Sequence, residues 1–117
     1  MNIIITGASR GIGKELVKLF AQENGHHIIA ISRNKLLLDE LVKECELFSG
    51  NSNVYSIPFD LGSGDMKKVL VPAIKKHIAS VDILINNAGY LVNKSIEKQY
   101  LRRLRRRLRL RSDGFTR

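Results

Sequence analysis

The chain has 117 residues, 44% hydrophobic and 26% charged, enough for one domain with a single core and far from the composition of disordered proteins. One cysteine, Cys45, and three scattered histidines, His26, His27 and His77, exclude a disulfide framework and a zinc fold. No apolar run is long enough to span a bilayer and Met1 to Thr6 is too short for a signal peptide, so a cytoplasmic protein is expected. The net charge of +9 is unevenly placed: residues 101–117 hold eight Arg and one Asp, whereas residues 1–100 hold ten Lys and two Arg against ten acids.

Asn2 to Thr6 is a short β-branched run without alternation, the pattern of a strand buried on both faces of a parallel sheet. It opens into a glycine loop, Gly7-Ala-Ser-Arg-Gly-Ile-Gly13. Apolar residues at Ile12, Leu16, Val17, Leu19 and Phe20 then recur at helical spacing, with Asn24-Gly25 as the terminator. His27 to Ile31 reads as a second buried strand. Asn34 follows as the cap of a helix with apolar positions Leu37, Leu38, Leu41, Val42 and Cys45. Val54 to Phe59 is a third strand with Pro58 near its end, and Asp60 to Asp65 is a turn. Met66, Val69, Leu70, Ala73, Ile74 and Ile78 supply a third helical face, which Pro72 bends or interrupts. Val81 to Ile85 is the fourth strand, running into Asn86-Asn-Ala-Gly89.

Three strand-helix repeats and a fourth strand imply parallel strands joined by right-handed crossovers, with helices on both sheet faces. The expected fold is α/β, a Rossmann-like doubly wound parallel sheet of order 3-2-1-4. Its ligand crevice lies beyond the carboxyl ends of strands 1 and 4. A glycine turn between a buried strand and a helix lets main chain approach a phosphate and aims helix amides at it. The spacing here, Gly7-x-x-x-Gly11-x-Gly13, lacks the Gly-Lys-Ser/Thr ending of an ATP-hydrolysing phosphate loop. Packing alone is the bland reading of the same turn.

Taken together and in order, Thr6-Gly-Ala-Ser-Arg-Gly-Ile-Gly13, Asp60-Leu61 and Asn86-Asn-Ala-Gly89 resemble the short-chain dehydrogenase/reductase family of NAD(P)-dependent oxidoreductases. The resemblance covers residues 1 to about 95, the cofactor-binding half of a family member. It divides the chain into a partial NAD(P)-binding domain at 1–95 and an Arg-rich, non-family tail at 96–117. It implies that Gly7, Ser9, Arg10, Gly11, Ile12 and Gly13 form the pyrophosphate and ribose loop, with Ile12 close to the nicotinamide. Asp60 would reach the adenine amino group, Leu61 would flank the ring, and Asn87, Ala88 and Gly89 would line the ribose side. Asp60 capping its turn and Asn87 stabilising the strand end are compatible with those roles. A carboxylate after strand 2 would favour NAD, but Ser32-Arg33 places a cation there and Arg10 adds another, so NADP is expected over NAD. A solvated Arg33 is the alternative.

The family's catalytic constellation, a Ser and a Tyr-x-x-x-Lys pair in which Lys tunes the tyrosine for proton transfer, is not recoverable. Tyr100 has Leu104 at the Lys position, and Tyr90-Leu-Val-Asn-Lys94 follows directly on Asn-Ala-Gly89, far upstream of the family's pair. The chain thus reads as a truncated, inactive cofactor-binding part of an oxidoreductase acting on a small carbonyl or alcohol substrate. Self-association through the exposed sheet edge is expected. The Lys-to-Arg switch near residue 100 favours a solvated cationic end or a shifted reading frame over an amphipathic helix for nucleic acid or membrane. A noncatalytic dinucleotide module, or a nucleic-acid or membrane binder through that tail, are the rival functions.

Overall fold

Isoleucine decides the centre of the sheet. In the computed structural model, which describes residues 1–87, β1 (Asn2–Thr6) lies between β2 (His27–Ser32) and β4 (Ile83–Asn86). All neighbours are parallel, β3 (Asn53–Pro58) completes the other edge, and the order is β3-β2-β1-β4. The expected topology is therefore the observed one.

Because side chains alternate along a strand, β1 sends Ile4 to one face and Ile3 and Ile5 to the other, and all three are fully buried. On the first face Ile4 joins Ile29, Ile31 and Leu84 beneath Leu70, Val71 and Ile74. On the second, Ile3, Ile5 and Ile28 lie beneath Val17, Leu38 and Leu41. Two cores on opposite faces of one sheet define double winding. Each fully buried isoleucine contributes about 2 kcal/mol by burial. Cys45 belongs to the second core, where burial pushes its thiol up to about 11 and keeps it protonated.

α1 (Gly11–Ala21) and α2 (Lys35–Glu46) cover that second face. α1 approaches through Gly13, Val17 and Ala21, spaced at i, i+4 and i+8, while Ile12 and Leu19 are 68% and 56% exposed. The large apolar residues of the expected face are thus partly misleading; small residues let the helix come close to the sheet. α1 also ends before Asn24-Gly25, at Ala21. Asn34 caps α2 as expected, its Oδ1 accepting from the Leu37 backbone N–H at 3.0 Å.

The third helix changes its hydrogen-bond pattern midway. A π-helical turn (Met66–Leu70), in which the Val71 N–H donates to the Met66 carbonyl, precedes α3 (Val71–Lys75). Pro72 falls in the first turn of α3, where its missing N–H costs nothing. The wider turn rotates Val69 outward to 53% exposure and brings Val71 inward. β4 begins two residues after Val81, and the Asp82 carboxylate accepts from the Asn2 N–H at 2.7 Å.

Candidate functional site

At the carboxyl ends of the strands a cleft of about 940 Å³ opens between the β1–α1 loop, the end of β2 and the segment after β3. Of the predicted site residues, Gly7, Ser9, Arg10, Gly11, Ile12, Arg33, Asp60, Leu61 and Asn87 line it. Ala88 and Gly89 lie outside the described residues, as do Tyr90, Lys94, Tyr100, the division at residue 95 and the Arg-rich tail.

The loop is shaped by glycine for two distinct reasons. Gly7 and Gly11 have φ of 61° and 53°, the left-handed region that side chains disfavour. Gly13 is buried and off the cleft wall: a Cβ there would stand 2.3 Å from the Gly7 carbonyl oxygen and 2.7 Å from Asn87 Nδ2. Gly13 therefore serves the close approach of α1 to the loop and to the end of β4. Asn87 Nδ2 donates to the Gly7 carbonyl at 3.4 Å, and the Asn87 N–H donates to Thr6 Oγ1 at 2.9 Å. These bonds fix the glycine loop against the last residues of β4.

Arg10 occupies the N-cap of α1 in an extended conformation, and no side chain caps that helix end. An uncapped first turn presents backbone N–H groups and the positive end of the helix dipole, so the cleft floor is suited to an anion. On the opposite side Ser9 and Ser32 share a hydroxyl hydrogen bond of 2.7 Å, tying the loop to the end of β2. The Asn34 N–H also donates to Ser32 Oγ, at 3.3 Å. The wall carries Arg10, Arg33 and Lys35 against a single acid, Asp60. Lys35 and Phe59 are not indicated by the motifs; Lys35 is the first residue of α2, three residues after the end of β2, and continues the wall formed by Ser32, Arg33 and Asn34. Lys35 Nζ pairs with Asp39 at 2.8 Å in solvent.

Asp60 stands near the end of β3 with both oxygens engaged. Oδ1 accepts from the Gly62 N–H at 2.8 Å and Oδ2 from the Ser63 hydroxyl at 2.9 Å. The Gly62 amide first, then the Ser63 hydroxyl and the charge of Arg33, hold this carboxyl below the usual carboxylate range. Capping of its own turn is thus realised, and each oxygen retains a second lone pair. The uncapped amides of α1, the cations Arg10, Arg33 and Lys35, and the anionic acceptor Asp60 beside Phe59 and Leu61 make a set of groups that fits a dinucleotide.

A Rossmann-like sheet with a glycine loop and an uncapped helix end at its switch point defines an α/β protein of the nucleotide-binding class. The model of the short chain dehydrogenase family matches residues 1–114, and the chain belongs to that family. The chain is 41% identical over 86 residues to the 3-oxoacyl-[acyl-carrier-protein] reductase FabG of Thermotoga maritima, covering 74% of this chain and 34% of that protein. It spans about a third of the length of the curated relatives it matches. Among solved structures, RhlG of Pseudomonas aeruginosa in its NADP active-site complex superposes with a TM-score of 0.61 at 26% identity, over 84% of this chain and 38% of that one. L-sorbose reductase of Gluconobacter frateurii, complexed with NADPH and L-sorbose, has the same fold, with a TM-score of 0.66 at 22% identity over 91% of this chain and 48% of that one. Among the described residues no helix is long and apolar enough to cross a membrane, and no group of three His, Cys, Asp or Glu could hold a metal.

Proposed function

We propose that the cleft binds NADP(H), and that the activity it serves is hydride transfer between NADP(H) and a small carbonyl or alcohol substrate. The observation that carries the cofactor choice is the pair of cations Arg33 and Lys35 on the wall after β2, with no carboxylate between Ser32 and Lys35. A 2′-phosphate there would gain charge-assisted hydrogen bonds, whereas the ribose hydroxyl of NAD would find no acidic acceptor. The NADP and NADPH complexes of RhlG and L-sorbose reductase support this choice.

In this reading Gly7, Ser9, Arg10 and Gly11 cradle the diphosphate, with the first-turn amides of α1 behind it. Ile12, exposed at the mouth, packs beside the nicotinamide, and Asn87 lines its ribose. Asp60 accepts from the adenine amino group and Leu61 flanks the ring. The bound cofactor supplies or takes the hydride; the residues of this chain bind and orient it.

Titration of the full chain with both dinucleotides tests the assignment. NADP should bind more tightly than NAD, and Arg33→Ala should weaken NADP by roughly tenfold while leaving NAD nearly unchanged. Tighter binding of NAD by the unaltered chain would sink it. No residue of this chain is assigned to proton transfer, because the sole Tyr-x-x-x-Lys spacing, Tyr90 to Lys94, follows directly on Gly89. These 117 residues alone are therefore expected to bind NADPH without oxidising it in the presence of carbonyl compounds; loss of reduced-nicotinamide absorbance would contradict that part.

A further inference from the structure

Asp60 lines the cleft and Ser63 does not. A carboxylate on an exposed turn rotates about its last bond, and one hydrogen bond, from the Gly62 N–H to Oδ1, leaves much of that rotation free. The Ser63 hydroxyl, donating to Oδ2 at 2.9 Å, removes it. Two donors on the two oxygens define the carboxylate plane, and each oxygen keeps a lone pair for a ligand.

The turn itself does not need that hydroxyl. Its main chain closes through the Gly64 N–H to the Asp60 carbonyl at 2.7 Å and the Ser63 N–H to the same carbonyl at 3.3 Å. Gly64 is seated on the ring of Phe59, so closely that a Cβ would stand 2.3 Å from Phe59 Cζ. The backbone of residues 60–64 is thus held by its own bonds and by the cleft wall, while the Ser63 hydroxyl, among the described residues, bonds Asp60 alone.

We propose that Ser63 is a positioning residue whose hydroxyl orients the Asp60 carboxylate, so that the cleft distinguishes a purine carrying an amino group from its oxo counterpart. The proposal rests on the dinucleotide reading above. An oriented carboxylate accepts from an amino N–H but faces a carbonyl oxygen with lone pairs against lone pairs, which gives discrimination at one atom.

The test compares NADP with its hypoxanthine analogue, which has an oxo group in place of the adenine amino group, by calorimetric titration of the full chain and of Ser63→Ala, Ser63→Thr and Asp60→Asn. The unaltered chain should prefer NADP. Ser63→Ala should weaken NADP by roughly threefold to tenfold and the analogue by less than about twofold, and Ser63→Thr, which keeps the hydroxyl, should restore the preference. Equal weakening of both ligands by Ser63→Ala would mean a purely structural role and overturn the proposal. So would a Ser63→Ala chain that keeps the preference while Asp60→Asn loses it, an outcome that leaves the dinucleotide reading standing. Failure of the unaltered chain to bind either ligand would instead overturn that reading.

Discussion

Gly13 and Asp60 show how one side chain, or its absence, sets the cleft. A methyl group at position 13 would collide with the Gly7 carbonyl and with Asn87, and backbone cannot give way as a flexible side chain can. Gly13→Ala is therefore expected to lower stability by about 2 kcal/mol and to weaken dinucleotide binding at the same time, since the Gly7 loop must shift. Urea denaturation checks the first effect; an unchanged midpoint would mean that α1 can move away from the loop at no cost. For Asp60, a depressed folded-state pKa means that the turn's contribution to stability is complete above the ordinary aspartate range and is lost as pH falls through the lower, folded value. A carboxyl titration followed by NMR should place the Asp60 midpoint acid of the usual value, about 3.9. A midpoint at or above that value would mean that the Gly62 and Ser63 bonds do not persist in solution.

At the scale of elements, local chemistry and packing carry different weight. The N-cap of α2 is a local device, and Asn34→Ala, which removes the acceptor for the Leu37 N–H, should cost about 1 kcal/mol in thermal or urea unfolding. Asn34→Asp should retain most of it. The ion pair that joins α1 to α2, Lys18 with Glu44 at 2.9 Å, lies on the surface, where screening leaves little net stabilisation; these helices are held by Val17, Leu38 and Leu41 beneath them. The change from the π-helical turn to α3 is also local in origin, because Pro72, without an N–H, sits where the hydrogen-bond pattern shifts. Its consequence is not local: the extra residue in the turn decides that Val71, rather than Val69, meets Ile4 and Leu84 in the core.

For the whole molecule the sheet edges matter. Among the described residues β4 is paired only with β1 and β3 only with β2. β3 ends in an exposed proline, which discourages further pairing at that corner, whereas β4, the sequence Ile-Leu-Ile-Asn, has no such safeguard among the described residues. The chain is expected to self-associate through that edge, with an apparent mass in light scattering that rises with concentration. A monodisperse monomer at high concentration would count against it.

Strand and helix alternation, the glycine loop, the Asn34 cap and the Asp60 turn were legible in the sequence because each depends on neighbours a few residues away or on a pattern with a fixed period; the sheet order followed from the doubly wound nucleotide-binding fold that the alternation and the glycine loop implied. Tertiary structure alone decided that Gly13, Val17 and Ala21 carry the buried face of α1 and that Val71 rather than Val69 enters the core. Thr6 and Asn87 meet across 81 positions of sequence, and Gly13 is small because Gly7 and Asn87 press on it. Such contacts join segments whose separation in the chain leaves no trace in local spacing, so only the folded arrangement brings them together.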